Sequence, residues 1–324
     1  MRALVTGAAG FIGSHLTERL CADGHEVLAV DAFTDYYRPA YKRANAAPLE
    51  RLDGCSLLEA DLRRADLASL LDGVDVVFHQ SGQPGVRASW DQGFGDYVEQ
   101  NVLVTQRMLE AARHHTLRRF VFASSSSVYG NAASYPVSES DLPRPQSPYG
   151  VTKLAAEHLC GVYARAWGVP TISLRYFTVY GPRQRPDMAM HRLIESALTR
   201  EPFPMYGDGS QVRDFTYVGD VVEANLLAAR ADAPPGSVVN ISGGSTVTLA
   251  EVIALIGDLD GRPMPVDRHA AQPGDVERTD GRIEAAAALL GWSPRTPLRQ
   301  GLAEQLAWHR SRLEAERTTV ATNA

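Results

Sequence analysis

Residues 6–13 read TGAAGFIG and begin on the last residue of the apolar run ALVT at 3–6. A strand that breaks into Gly7, Gly10 and Gly13 and resumes as the helical pattern FIGSHLTERLCADG reads as the start of a βαβ unit. Such glycines permit a tight turn and let N–H groups at the helix start approach a pyrophosphate. Asp31 closes the next run, VLAV at 27–30. A carboxylate there accepts hydrogen bonds from an adenosine ribose diol and repels a 2′-phosphate, which favours NAD over NADP. Asp61 and Leu62, after the third run, are candidates to reach the adenine by analogous position.

Working outward, the runs SLLEA (56–60), VVFH (76–79), FVFAS (120–124) and TISLRY (171–176) alternate with helical patterns. This predicts an α/β fold, a doubly wound parallel (Rossmann) sheet. After about residue 180 Pro- and Gly-rich pieces such as GPRQRPD and EPFPMYGDGS break the rhythm, as in a smaller C-terminal substrate-binding lobe. The expected division is an NAD-binding domain over 1–177 plus roughly 213–242, with the lobe formed by 178–212 and 243–324.

Composition narrows the chemistry. A chain of 324 residues with 44% hydrophobic residues can bury a sizeable core. Its formal net charge of −6, with mixed signs throughout, offers no basic patch for nucleic acid. No apolar run approaches the length of a membrane span, and the start runs straight into the glycine turn, so a cytoplasmic protein without a membrane partner is expected. Cys21, Cys55 and Cys160 are widely spaced and form no CxxC. They read as buried free thiols, with no metal site.

The second decisive stretch is SPYGVTK at 147–153. Of 32 basic residues only Lys42 and Lys153 are lysines. Ser147 suits an N-cap and Pro148 a first helical position, so Tyr149 and Lys153 share one helix face. A free phenol titrates near pH 10, and a neighbouring ammonium together with a positive nicotinamide ring would favour its phenolate. Lys153 is thus expected to tune Tyr149 and to hold the nicotinamide ribose. Upstream, FASSSSVYG puts Ser125 at the C-terminal end of a strand, where doubly wound folds bind ligands.

Together TGAAGFIG, Asp31, the serine loop and YxxxK resemble extended short-chain dehydrogenases/reductases of the NAD-dependent sugar epimerase/dehydratase family, over nearly the whole chain. LRYFTVYGP (174–182), VRDFTYVGDVV (212–222), NISGG (240–244) and QPGD (272–275) are similar to the family's landmarks, in order. The resemblance implies Ser125, Tyr149 and Lys153 as the catalytic triad. It implies cofactor contacts from Phe11, Ile12, Gln80, Ser81, Asn101 and Tyr176, besides the residues above. It places the nucleotide-sugar near Arg87, Thr178, Arg213, Gln272 and Asp275, although family members often carry Arg where this chain has Gln272, and a glycine at Val104.

A dehydratase would need an Asp-Glu pair where this chain has Ser126 and Ser127. The segments YFTVYGPRQRPDMA and DAFTDYYRPAYKR are most similar to UDP-glucuronate 4-epimerases. Arg185 suits a sugar carboxylate, which a guanidinium binds bidentately. The resemblance therefore implies 4-epimerisation of a UDP-sugar with tightly bound NAD. UDP-glucose or UDP-N-acetylglucosamine epimerisation, UDP-glucuronate decarboxylation and a non-enzymatic NAD-sensing module stand as alternatives. The family's dimers make helices 94–115 and 148–167 the expected homodimer face.

Overall fold

In the computed structural model, which describes residues 1–90, 93–244, 246–270 and 278–322, strand and helix alternate as the sequence pattern demands. The first half runs β1 (Arg2–Thr6), α1 (Phe11–Ala22), β2 (Glu26–Asp31), α2 (Pro39–Leu49), β3 (Cys55–Glu59), α3 (Leu67–Leu71) and β4 (Val76–His79). A helical run follows: α4 (Phe94–Tyr97), a π-helical stretch over Val98–Leu103, and α5 (Val104–Ala112). Then come β5 (Arg119–Ser125), α6 (Pro148–Trp167) and β6 (Thr171–Tyr176). The continuous helix expected over 94–115 is therefore interrupted, with Asn101 in the π stretch.

The second half contains β7 (Thr178–Tyr180), α7 (Ala189–Thr199), β8 (Phe203–Tyr206), β9 (Val212–Tyr217), α8 (Val218–Arg230), β10 (Ser237–Ile241) and β11 (Thr246–Thr248). It ends with α9 (Leu249–Asp260), β12 (Val266–His269), α10 (Glu284–Leu290) and α11 (Leu298–Thr322).

The 7-stranded sheet has the order β10-β6-β5-β4-β1-β2-β3, and every pairing in it is parallel. All residues of β5 and β6 are buried, as expected where helices cover both faces. Strand order reverses between β1 and β4, opening a crevice beyond their C-terminal ends. Beside it lies a smaller unit with a three-stranded sheet β11-β9-β7 and the pair β12-β8. Its core joins Leu193, Ile194, Phe203, Val252, Ile256, Leu302 and Leu306. Ala286, Leu290 and Trp292, inside the stretch assigned to the lobe from sequence, pack instead in the core of the large sheet.

Of the thiols only Cys160 is fully buried; Cys21 and Cys55 are half-buried, and loss of water pushes Cys55 up to about 12. No described helix is long and apolar enough to cross a membrane. No group of three or more His, Cys, Asp or Glu among the described residues is placed to hold a metal.

Several histidines are held uncharged by loss of water, His79 and His309 fully buried and His15 half-buried. Desolvation holds His15 at about 4, His79 at about 3 and His309 at about 2. His79 is wedged between the hydroxyls of Thr6 and Thr105, whereas neither ring nitrogen of His309 has a partner among the described residues. A histidine whose pKa is lowered by folding contributes stability that is complete above about 6.5. That contribution is lost as pH falls toward the folded value, at about 1.4 kcal/mol per pH unit for each such group. The urea midpoint should therefore drop between pH 7 and pH 5, and drop less in a His309→Leu variant. Equal drops in both proteins would show that His309 is not one of the groups responsible.

Candidate active site

The phosphate turn is built by backbone contact. Gly7 adopts φ +68°, and a Cβ on Gly13 would overlap the Gly7 carbonyl oxygen, so α1 can begin close under the turn only with hydrogen at both positions. Gly10 N–H donates to that same carbonyl at 3.0 Å. Phe11 opens the helix whose N-terminus faces the crevice, a ready anion site.

Asp31, at the end of β2, is buried and heavily engaged. Its Oδ2 accepts from Ala9 N–H at 3.0 Å, while Oδ1 accepts from Phe33 N–H at 2.7 Å and from Lys42 Nζ at 3.2 Å. A carboxylate has about four acceptor positions, so room for a ribose hydroxyl remains. Lys42 also reaches Thr34 Oγ1 at 3.2 Å. Its role escaped the sequence reading, although Lys42 stood out there on the same ground as Lys153. Asp61 turns its carboxylate to Arg63, whose hydrogen bonds hold it below the usual carboxylate range.

The floor of the cleft is a closed polar set. Gln80 donates to Asn225 Oδ1 at 2.9 Å, and the Tyr176 hydroxyl donates to Gln80 Oε1 at 3.1 Å. Asn225 on α8 had no signal in the sequence. Ser81 N–H donates to Thr6 Oγ1 at 3.2 Å, which seats the end of β4 against β1. Asn101 grips the next loop from both sides: its Oδ1 accepts from Gln83 N–H at 2.7 Å, and its amide donates to Gln83 O at 3.1 Å and Thr152 Oγ1 at 3.0 Å. The π stretch thereby ties the loop after β4 to α6.

The α6 start forms as expected, with Ser147 Oγ accepting from Gly150 N–H at 3.1 Å and Pro148 in the first turn. Tyr149 and Lys153 both line the cleft, whose open space is about 1190 Å³. Ser125 Oγ accepts from Ser127 N–H at 3.1 Å, capping the turn over Ser126–Val128.

The electrostatics differ from the expectation in one respect. Removal from water holds the Tyr149 phenol above its ordinary value; a hydrogen bond from Ser125 and the Arg185 charge pull it down, and Lys153 is not among these effects. The Lys153 ammonium instead sits over the Phe122 ring at 4.6 Å. Desolvation pushes it down to about 8, opposed by the charge of Glu157.

Arg185 lines the same cleft. Thr178 begins β7 and is half-buried, and Arg213 lies on β9 opposite Val247 of β11. Neither borders the cleft that holds Tyr149 and Lys153, and the same is true of Ser126, Ser127 and the exposed Arg87; Ser125 is outside its lining too and is linked to it by its hydrogen bond to Tyr149. Asp214 beside Arg213 turns inward to accept from Gly243 N–H at 2.6 Å, and burial raises it to about 6. Gln272 and Asp275 lie outside the described residues.

The donor set fits a dinucleotide: a backbone cradle under a helix N-terminus, a buried carboxylate at the second strand's end, and a cationic side chain at the far end of the groove.

The model of the NAD dependent epimerase/dehydratase family matches residues 3–242. YtcB of Bacillus subtilis (strain 168), described as an uncharacterized UDP-glucose epimerase, is 44% identical over 98% of this chain and 100% of its own. UDP-glucuronic acid 4-epimerase from Bacillus cereus, solved with UDP-glucuronic acid and NAD, superposes with a TM-score of 0.92 at 42% identity, covering 96% of this chain and 99% of that one. MoeE5, solved with NAD and UDP-glucose, gives a TM-score of 0.85 at 46% identity over 97% of this chain and 100% of its own; it has also been solved with UDP-glucuronic acid and NAD.

Proposed function

The chain belongs to the NAD-dependent epimerase/dehydratase family, and we propose that it inverts C4 of UDP-glucuronate to give UDP-galacturonate. The enzyme is an NAD-dependent UDP-sugar 4-epimerase, an isomerase. The acidic sugar is supported by one observation above the others: a guanidinium, Arg185, borders the cleft that contains Tyr149.

NAD, when bound against Gly7, Gly10, Phe11, Ile12, Gly13 and Asp31, supplies the acceptor for the C4 hydride and gives that hydride back. Tyr149 takes the proton of the C4 hydroxyl as the hydride departs, leaving a 4-keto sugar. Ser125 holds the same oxygen. Once the sugar has turned its other face and C4 is reduced again, Tyr149 would return the proton to the oxygen. Proton and hydride are both restored, so the net change is an inverted centre. Lys153 would hold the nicotinamide ribose, and Asn101 keeps the loop at Gln83 in place.

An acidic sugar imposes a further demand, because the 4-keto intermediate of a uronate is a β-keto acid. It loses carbon dioxide when the carboxylate bond aligns with the carbonyl π system. Arg185, the one of the expected carboxylate partners that borders the cleft, would hold the carboxylate away from that alignment while the ring turns. Arg213 would meet the diphosphate, with Arg87, Gln272 and Asp275 completing the nucleotide contacts.

A neutral sugar is the second reading, favoured by MoeE5's having been solved with UDP-glucose as well. The deciding assay is sugar-nucleotide NMR after incubation with UDP-glucuronate, UDP-glucose and UDP-N-acetylglucosamine in parallel. Conversion of UDP-glucuronate to UDP-galacturonate without pentose is the expected result. Turnover of UDP-glucose alone would reject the acidic sugar. UDP-sugar substrates support a cytoplasmic location, which cell fractionation checks.

The homodimer is proposed from exposed apolar side chains on the expected helices: Phe94 at 40%, Leu103 at 51%, Val151 at 48% and Val162 at 46%. A stable interface buries about 1,200–2,000 Å² in total, and a charge in the centre of such a patch is costly to bury. A Leu103→Glu, Val162→Glu double variant should sediment as a monomer where the native protein sediments as a dimer. A native monomer would end the proposal.

A further inference from the structure

Arg185 is not a loose arginine at the cleft edge. Its Nε donates to Asp187 Oδ1 at 3.0 Å and its Nη2 to Asp187 Oδ2 at 3.1 Å. This is a side-on bidentate pair, which occupies one edge of the planar guanidinium. A guanidinium has five N–H donors, so the end-on edge formed by Nη1 and Nη2 still has donors for a second carboxylate.

Asp187 is itself fixed. The Tyr36 hydroxyl, from the loop after β2, donates to Asp187 Oδ2 at 3.4 Å. The Tyr36 hydroxyl also lies close to that of Tyr97, which donates to Pro84 O at 2.7 Å. Tyr97 meets the Tyr149 ring edge-on at 6.2 Å. A line of contacts thus leads from the catalytic tyrosine, through Tyr97, Tyr36 and Asp187, to Arg185.

The base of this loop is equally constrained. Gln184 is buried and donates to Val179 O at 2.8 Å, Gln305 Nε2 donates to Gln184 Oε1 at 3.0 Å, and Gly181 N–H donates to Gln305 Oε1 at 3.0 Å. Arg183 pairs with Glu18 of α1 at 2.8 Å. With the backbone held on both sides, what remains free in Arg185 is the rotation of its side chain, and Asp187 removes it.

We propose that Asp187 is a positioning residue for sugar selection: by holding one edge of Arg185 it presents the other edge to the carboxylate of an acidic UDP-sugar. The proposal rests on the acidic-sugar reading above. It assigns Asp187 no contact with substrate. Pre-orienting a long side chain removes the entropy otherwise lost when a ligand orders it, so the effect falls on affinity for the acid rather than on the chemical step.

The test uses the full-length holoenzyme and the variants Asp187→Asn and Asp187→Glu, with far-ultraviolet circular dichroism and bound NAD checked in each. Calorimetry gives the dissociation constants of UDP-glucuronate and UDP-glucose, and steady-state kinetics separates KM from kcat. In Asp187→Asn the ratio of the two dissociation constants should shift against UDP-glucuronate by about tenfold or more, the range of a charge-assisted hydrogen bond. KM should move more than kcat, and Asp187→Glu should recover part of the loss. Tighter binding of UDP-glucuronate by Asp187→Asn would mean that Asp187 competes with the sugar acid and would overturn the proposal. Equal weakening for both sugars would overturn it too, because Asp187 would then only brace the loop. If the native enzyme neither binds nor converts UDP-glucuronate, the acidic-sugar reading falls and takes the proposal with it. That result is separable from the others because it appears before any substitution.

Discussion

Tyr149→Phe should retain the fold and bound NAD while kcat falls by about 10²- to 10⁴-fold, the usual worth of a positioned acid–base group. The phenol projects from the first turn of α6 into the cleft, so the change removes one oxygen and no packing. The pH profile carries more information than the loss itself. Burial holds the native phenol above its ordinary value, so the base-competent fraction grows about tenfold per pH unit through neutrality. Native activity should therefore rise with pH up to about 8. There Lys153, held down to about 8 by desolvation, begins to lose its charge, and the rise should flatten. In the phenylalanine variant the residual rate should lack this rise. A variant that turns over at native speed, or keeps the full pH dependence, would exclude Tyr149 as the group that moves the proton.

Breaking the ion pair beneath the serine loop should have the largest effect on stability. Glu157 Oε1 accepts from Arg175 Nη2 at 2.6 Å, and Oε2 accepts from Arg175 Nε at 3.0 Å and Ser124 Oγ at 2.6 Å. Both partners are almost wholly buried, with side chains exposed by 3% and 5%. Arg175 Nη1 also donates to the Tyr129 hydroxyl at 2.6 Å, which donates to Asn240 Oδ1 at 2.7 Å. Glu157→Ala would leave a guanidinium in the core without its counter-ion, at a cost of about 3–5 kcal/mol. Replacing both by apolar residues, Glu157→Leu with Arg175→Met, should cost clearly less than the sum of the single changes, because neither charge is then stranded. Urea unfolding of the native protein, Glu157→Leu, Arg175→Met and the double variant measures the coupling, with Glu157→Ala unfolded alongside. Additive losses, or a Glu157→Ala protein as stable as the native one, would show that the pair does not act as a unit. Glu157 also lies one turn beyond Lys153 and raises its pKa by charge. The upper limb of the activity profile should accordingly move to lower pH in any Glu157 variant that still folds.

How much could be read in advance follows from the range of each interaction. The strands and helices of the first half, the glycine turn, Asp31 at the end of β2 and the Ser147 cap depend on residues a few positions apart. Periodicity and capping record such relations directly. The pairing of Tyr149 with Lys153 on one face of α6 is of the same kind. The π stretch around Asn101 was not legible, because its local pattern is ordinary and what sets it apart is the grip of Asn101 on Gln83 and Thr152. Lys42 showed itself only as a rare residue type; that it lies on Asp31 depends on how α2 packs against the end of β2. The phenol's electrostatics also came out differently, since one turn of helix brings Lys153 near Tyr149 in sequence, yet its ammonium settles over Phe122.

By itself, then, the order of residues determined the doubly wound sheet, the glycine turn with Asp31 beside it and the placing of Tyr149 and Lys153 on one face of α6, all consequences of short-range spacing. Only the tertiary structure decided how Arg185 is held. Tyr36, Tyr97 and Asp187 come from segments far apart in the chain, and no local pattern encodes which side chains three separate segments will bring together. The physical reason is that such a rim is selected by packing of the sheet and lobe as a whole, where hydrogen bonds form between whichever donors and acceptors that packing leaves within reach.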